Sequence, residues 1–314
     1  MLKYSLILFG GNRLLENAPM STLVKFLKKK KIKFILITDP EHLKKKISKN
    51  QSFKNFLQQE NINYKSFKKL QTIKIKRFIK KNTIGLSLNS IWKFRKDIIN
   101  KFNGNFYNYH AADLPTERGA GTISWRLLLN KKNNFSLNIH KIDEDFDTGT
   151  VVLKKKLTKD HTLSGLPFEI LKKQRKIEKP FLEKFINMFI ANKIKKFKNL
   201  PQNNNKSFYW PRLNSDIDGK INWNWDAEDI IKFIKAFSYP FNGSFSYINN
   251  RKIKILDAKC FKSEIIFHPF QNGLIFRKDK IFIYVACGRY FIRIKHKDII
   301  FRKKNFNMIG KRIK

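Results

Sequence analysis

Through the first third of the chain, short apolar runs alternate with longer amphipathic stretches. Residues 3–9 (KYSLILF) end at Gly10–Gly11, which predicts a buried strand followed by a loop. Residues 20–30 (MSTLVKFLKKK) have helical spacing, and 31–38 (KIKFILIT) form a second buried run closed by Asp39–Pro40. The polar stretch 41–59 predicts helix, 62–67 (INYKSF) a third strand and 84–88 (IGLSL) a fourth. Residues 91–102 (IWKFRKDIINKF) are amphipathic at helical spacing, and 105–110 (NFYNYH) give a fifth strand. Strands alternating with helices in this order predict an α/β fold with a mostly parallel sheet.

The pattern then changes. Residues 122–129 (TISWRLLL) read as helix, and 135–142 and 150–157 as a hairpin-like strand pair around the turn EDFDTG. Pro167 and Pro180 bracket a helical stretch running to about residue 194. Residues 199–207 (NLPQNNNKS) are polar and Asn-rich, a linker by composition, and 207–223 read as an irregular crossing segment. Asp226 is placed to cap a helix over 227–237. Short strands follow, joined by turns at Asn249–Asn250 and Lys278–Asp279, which predicts a small antiparallel barrel. The basic tail after 300 is expected to be partly disordered. The division is therefore a catalytic domain over 1–198, a linker over 199–225 and a C-terminal domain over 226–314.

Composition narrows the class. With 314 residues, 42% hydrophobic and 14% aromatic, the chain can bury two sizeable cores. Two cysteines exclude a disulfide framework, and neither has the CxxC or His spacing of a zinc site. Cys287, in IFIYVACG, reads as a small buried hydrophobe. No run approaches the ~20 apolar residues of a membrane span, and the N-terminal run is short and lacks a cleavage motif, so a cytoplasmic protein is expected. The formal net charge is +43. It fits a polyanionic partner or an anionic membrane surface. It equally fits a basic compositional bias, because Lys, Ile, Asn and Phe are abundant together and the lysines are spread along the whole chain.

The chemistry-bearing cluster begins at NYHAADLPTERGAG (108–121). On a strand, Asn108 and His110 point the same way, here at the end of a parallel strand, where open α/β sheets bind ligands. Asp147 precedes Thr148–Gly149, a sharp turn that aims its carboxylate. If 135–142 lies beside 105–110, an amide, an imidazole and a carboxylate converge. These suit acyl transfer to an amine: His110 takes a proton, Asp147 orients the imidazole and stabilises its cation, and Asn108 donates to a developing oxyanion. By spacing alone the same residues also fit a satisfied polar strand edge and an ordinary turn aspartate. His140 and His268 read as strand and loop histidines, Trp223 and Trp225 as packing residues, and Asp143 and Asp145 lack the ligand set of an EF-hand.

Taken together, Asn108-x-His110, Leu114–Pro115, Arg118–Gly119, the Trp-bearing helix that follows, and Asp143-x-x-x-Asp147-Thr148-Gly149 resemble the formyltransferase family that uses 10-formyltetrahydrofolate. Members act on methionyl-tRNA, on glycinamide ribonucleotide and on sugar nucleotides. The resemblance implies a Rossmann-like N-terminal domain, an OB-like antiparallel C-terminal barrel and 10-formyltetrahydrofolate as formyl donor. By the same resemblance Asn108, His110 and Asp147 match the catalytic trio. Leu114, Pro115, Arg118 and Gly119 match the acceptor-side loop. Leu88, Ser90, Ile91 and Trp92 match the segment that cradles the folate, and Asp143, Glu144, Asp145 and Phe146 match the loop closing over the pteridine. Residues 217–245 and 283–294 are similar to the junction and a strand pair of the tRNA-formylating branch. Departures stand at Gly10–Gly11–Asn12–Arg13, where that branch has Gly-Thr-Pro. They stand also after Asp39–Pro40, which lacks its glycine-containing basic insertion, at Ala120–Gly121–Thr122, and at Ala111–Ala112. They turn the expected acceptor toward a primary amine on an amino-sugar nucleotide or similar small metabolite. Methionyl-tRNA is the alternative, and a non-catalytic nucleic-acid-binding role on the same scaffold is a second one.

Overall fold

The computed structural model describes residues 5–12, 18–48, 50–131, 135–157, 165–191, 193, 197, 199–300 and 308–314. Arg13, residues 192 and 194–196 at the expected helix end, and 301–307 of the tail lie outside the described residues. In chain order the first elements are β1 (Ser5–Gly10), α1 (Pro19–Lys29), β2 (Phe34–Thr38), α2 (Pro40–Lys44), α3 (Phe53–Gln59), β3 (Tyr64–Ser66), α4 (Thr72–Lys76), β4 (Thr83–Leu88), α5 (Lys96–Ile99) and β5 (Phe106–His110). Next come β6 (Arg118–Gly119), α6 (Thr122–Leu128), β7 (Ser136–Lys141), β8 (Val151–Lys156), α7 (Pro167–Ile190), β9 (Tyr209–Trp210) and α8 (Ala227–Ala236). The last strands are β10 (Ser244–Ile248), β11 (Arg251–Ile255), β12 (Lys259–Lys262), β13 (Ile275–Lys278), β14 (Phe282–Cys287), β15 (Tyr290–Lys295) and β16 (Ile299–Ile300). They form two compact units. One draws on described residues within 1–119, 133–162 and 172–209, the other on those within 120–132, 163–171 and 210–314.

The first unit is built on a seven-stranded sheet in the order β3-β2-β1-β4-β5-β7-β8. The first five are parallel to their neighbours, and β7 and β8 are antiparallel. Every residue of β4 is buried, as expected of a parallel strand covered on both faces. Gly85 is there because a Cβ would come within 2.4 Å of the Phe106 ring. On one face Phe9, Phe94, Phe102 and Phe106 form a ring cluster, with Phe102 and Phe106 stacked at 4.3 Å and Phe9 edge-on to Phe94 at 5.4 Å. On the other face Tyr107 meets Phe185 and Phe189 of α7 at 5.5 and 5.7 Å. Burial pushes the Tyr107 phenol up to about 12.

Three helix expectations change. Residues 91–95 are not helical, and α5 starts only at Lys96. Phe94 inserts into the ring cluster with Trp92 packed beside it, so the apolar spacing there reflects core contacts rather than a helix face. The 41–59 stretch is two short helices, capped separately by Asp39 on Glu41 N and His42 N, and by Ser52 on Asn55 N. Pro180 lies inside α7 instead of bounding it. Its ring removes one backbone bond, while Phe181, Leu182, Phe185 and Ile186 stay buried beyond it and carry the helix on to Ile190.

In the second unit, α6 and α8 accompany a three-stranded sheet, β10-β11-β16, and a four-stranded sheet, β12-β15-β14-β13. The single barrel expected from the strand pattern is therefore resolved as two antiparallel sheets, tied by bridges from the chain end: Ile313 to Ile248, and Arg312 to Leu274. Residues 308–314 are thus built into the fold, because Ile313 (1% exposed) fills the core beside Trp223 and Ile248. The turn Asn249–Asn250 holds both residues at positive φ (47° and 58°), the geometry that two-residue hairpins require. Asp226 stands at the head of α8 but its side chain makes no capping bond. Strand β12 (KCFK) was hidden because it lacks clear alternation.

Phe106 carries the ring cluster under the strand that bears Asn108 and His110. Phe106→Ala is expected to lower unfolding free energy by about 3–5 kcal/mol in a urea titration, with an unchanged dependence on denaturant concentration.

Candidate active site

On β5 the residues alternate between the two faces. Phe106 sits in the ring cluster, so Asn108 and His110, two and four residues on, continue that face to the C-terminal end of the strand. β7 lies antiparallel beside β5 with His140 directly opposite Asn108, and the loop from β7 to β8 delivers Asp147. That loop turns through two special positions. Asp147 has φ 57°, in the left-handed region that disfavours most side chains. Gly149 has no room for a side chain, since a Cβ would lie 2.0 Å from Lys141 O.

Asp147 is the hub. Its Oδ1 accepts from Asn108 Nδ2 at 3.1 Å and lies 3.1 Å from His140 Nε2. Its Oδ2 accepts from Gly119 N at 2.8 Å and lies 3.4 Å from His110 Nδ1. His110 Nε2 lies 2.6 Å from Glu117 O. A carbonyl oxygen only accepts, so Nε2 carries hydrogen and Nδ1 is the atom left to take a further proton, facing the carboxylate. The same logic holds at His140, whose Nδ1 donates to Lys141 O at 2.7 Å. Burial pushes the Asp147 carboxyl up, but the charge of His110, the bond and charge of His140 and the Gly119 N–H outweigh it, holding the group well below the usual carboxylate range.

The segments matched to folate binding face one another. Ser90 Oγ accepts from Trp92 N at 3.1 Å, and Trp92 Nε1 donates to Lys68 O at 3.4 Å. Leu88 is fully buried, with its carbonyl accepting from Gly11 N at 3.3 Å, whereas Ile91 is exposed. From the acidic loop, Asp145 pairs with Lys93 at 3.2 Å and Glu144 with Lys96 at 2.9 Å. Thr148 Oγ1 donates to Asp143, and Lys93 lies 5.7 Å over the exposed ring of Phe146. In the loop over Leu114–Gly119, matched above to the acceptor side, Leu114 is buried and its carbonyl accepts from Lys154 Nζ at 3.0 Å, and the Leu114–Pro115 bond is cis. Arg118 is buried as well. Its Nε and Nη2 donate to Gln202 Oε1 (3.1 Å) and Asn204 Oδ1 (2.9 Å), which ties this loop to residues 202–204.

Three residues of the cluster carry no signal in the sequence. His140 reads there as a plain strand histidine; its place opposite Asn108 depends on strand register, which no local pattern reports. Glu117 contributes a backbone carbonyl, invisible in any side-chain search. Gln202 sat in a run read as linker, yet it bonds to the Asp147 loop. The described residues hold no cluster of metal-ligating type.

Two outcomes follow from this geometry. A carboxyl whose folded value is depressed adds stability that is complete above its unfolded value, about 4, and that drains away as pH falls below it. Asp147→Asn should therefore flatten the acid side of the stability profile below pH ~4, measured by thermal unfolding between acid and neutral pH. Gly149→Ala should lower stability by more than the ~1 kcal/mol that Gly→Ala gains at an unstrained position, since backbone must move to admit the methyl.

Comparison with known proteins places this site in context. Residues 215–305 match the family model for the formyl transferase C-terminal domain. The methionyl-tRNA formyltransferase of Alkaliphilus oremlandii is 28% identical over 60% of this chain, and the match spans 57% of that relative's length. Among solved structures, WlaRD, a sugar 3N-formyl transferase, has a TM-score of 0.62 at 21% identity, covering 92% of this chain and 96% of that one. The N-formyltransferase from Helicobacter canadensis has a TM-score of 0.63 at 20% identity, covering 94% and 99%. These two likenesses establish a shared fold, a mostly parallel α/β sheet with antiparallel sheets in the C-terminal region. In sequence, the match over 215–305 and the 28% identity to the Alkaliphilus oremlandii enzyme make the chain similar to formyltransferases.

Proposed function

We propose that this chain transfers a formyl group from 10-formyltetrahydrofolate to a primary amine carried by a small metabolite, an amino-sugar nucleotide. The observation that carries the reading is the convergence of Asn108, His110 and Asp147 on one carboxylate hub at the end of β5. The donor supplies an activated formyl carbon. Ile91 and Phe146, both exposed, offer apolar surface for a flat ring, on segments held together by the Lys93–Asp145 and Lys96–Glu144 pairs.

Each residue has a task. Asn108 presents an amide N–H where negative charge grows on the formyl oxygen, a contribution of about 3–4 kcal/mol for such donors. His110 Nδ1 takes the proton that the amine loses on forming the new C–N bond. Asp147, already ionised and 3.4 Å away, stabilises the resulting imidazolium. The same proton is at hand for the folate nitrogen when its bond to the formyl carbon breaks.

Two features favour a small acceptor. The fold likeness to the sugar-formylating enzymes covers over nine-tenths of the chain, and α2 starts at Pro40, directly after β2 and capped by Asp39, with no insertion between them. Methionyl-tRNA is the second reading, supported by the net charge of +43 and by the named curated relative.

The test is direct. Purified protein with 10-formyltetrahydrofolate and a panel of amino-sugar nucleotides should release tetrahydrofolate, and Asn108→Ala should lower kcat about 10²–10³-fold. Release only with methionyl-tRNA, with binding that weakens steeply as salt rises, would move the assignment to the second reading. No release with any amine, tRNA included, would sink both.

A further inference from the structure

Gln202 lies in the Asn-rich stretch that composition marks as a linker, yet its carboxamide is fully engaged. Nε2 donates to Asp147 O and to Gly149 O, each at 2.7 Å. Oε1 accepts from Arg118 Nε at 3.1 Å, and the neighbouring Leu200 pairs with Val151 through both backbone bonds at 3.0 Å. The two N–H groups of one amide therefore hold the two carbonyls that flank Thr148, across the turn where Asp147 takes its left-handed conformation. The carbonyl oxygen of that amide holds Arg118, whose neighbour Gly119 donates to Asp147 Oδ2 at 2.8 Å. Backbone and side chain of Asp147 are thus fixed from a single outside residue, along two routes.

We infer that Gln202, taken with the formyl-transfer reading above, is the positioning residue for the Asp147 carboxylate, holding it between His110, His140 and the Gly119 amide. The geometry assigns it no contact with reacting atoms. Its work is to keep a strained turn in register with β5. A shift of about 1 Å at such a distance from the chemistry lowers turnover about 10²-fold.

The donor and acceptor halves of the amide can be separated by substitution. Gln202→Leu removes both. Gln202→Glu keeps the length and the contact with Arg118 but sets a carboxylate against the two carbonyls, so it loses only the donor half. Both variants should lower kcat, Gln202→Glu about 10²-fold and Gln202→Leu at least as much, with KM for the folate donor changed less than about threefold. A second readout does not depend on activity. The Gly119 amide proton reports the place of the Asp147 carboxylate, so its hydrogen exchange should quicken at least about tenfold in both variants, while amides of β1 and β4 keep their protection. If Gly119 exchange is unchanged, or Gln202→Glu keeps wild-type kcat, the positioning role is overturned. If the wild-type protein transfers no formyl group, the functional reading falls by itself and the exchange at Gly119 still decides this one.

Discussion

Holding an ionised carboxylate where water barely reaches it carries a desolvation penalty of several kcal/mol. The side chain of Asp147 is 10% exposed, and its surroundings offset that penalty with an amide N–H from Asn108, a backbone N–H from Gly119, and the positive charge that imidazoles on two sides carry when protonated. Much of the first unit can be understood from this requirement. The antiparallel register of β7 beside β5 serves it by setting His140 across from Asn108. The same requirement explains why the turn tolerates a left-handed aspartate and requires a glycine two residues later.

The strand that presents the amide and the first imidazole is held from both faces. Phe106 is locked among rings on one side. On the other, Tyr107 packs on α7, and Tyr109 donates its hydroxyl to Glu178 at 2.6 Å, a carboxylate that Gln174 and Arg175 also reach at 2.6 Å. Burial and the neighbouring Glu178 keep the Tyr109 phenol well above its ordinary range, so it stays a donor. Asn108 and His110 alternate with two tyrosines anchored in the opposite direction. A side chain on such a strand has little freedom to drift, which is what pre-organised hydrogen-bond donors need.

Much of this was legible in the residues. The alternation of short strand-like runs and helical stretches located all five parallel strands, four of them as buried apolar segments bounded by Gly, Pro or Asn, and the edge strand β3 (Tyr64–Ser66) as a short half-exposed run. Asn108, His110 and Asp147 stood out because their spacing and the Asp-Thr-Gly turn have direct geometric content. The helix expected over 91–102 failed because spacing alone cannot tell a helix face from an extended segment that drops Phe94 into a core. The chain end, basic and short, concealed Ile313, whose burial rests on long-range pairing with Ile248. His140 and Gln202 were missed for a related reason: their roles depend on which distant backbone they meet, and nothing near them in the chain records it.

The interleaving of the two units has an evolutionary consequence. The second unit takes α6 from residues 120–132, immediately after the Arg118–Gly119 loop, and Ser124 Oγ donates to Ala236 O at the end of α8 at 2.7 Å. A C-terminal module exchanged between genes at the 199–225 junction would arrive without that helix and would have to accept one shaped for another partner. Inheritance by shuffling is thereby penalised, and the Arg118–Gly119 loop and the C-terminal unit are bound to diverge together.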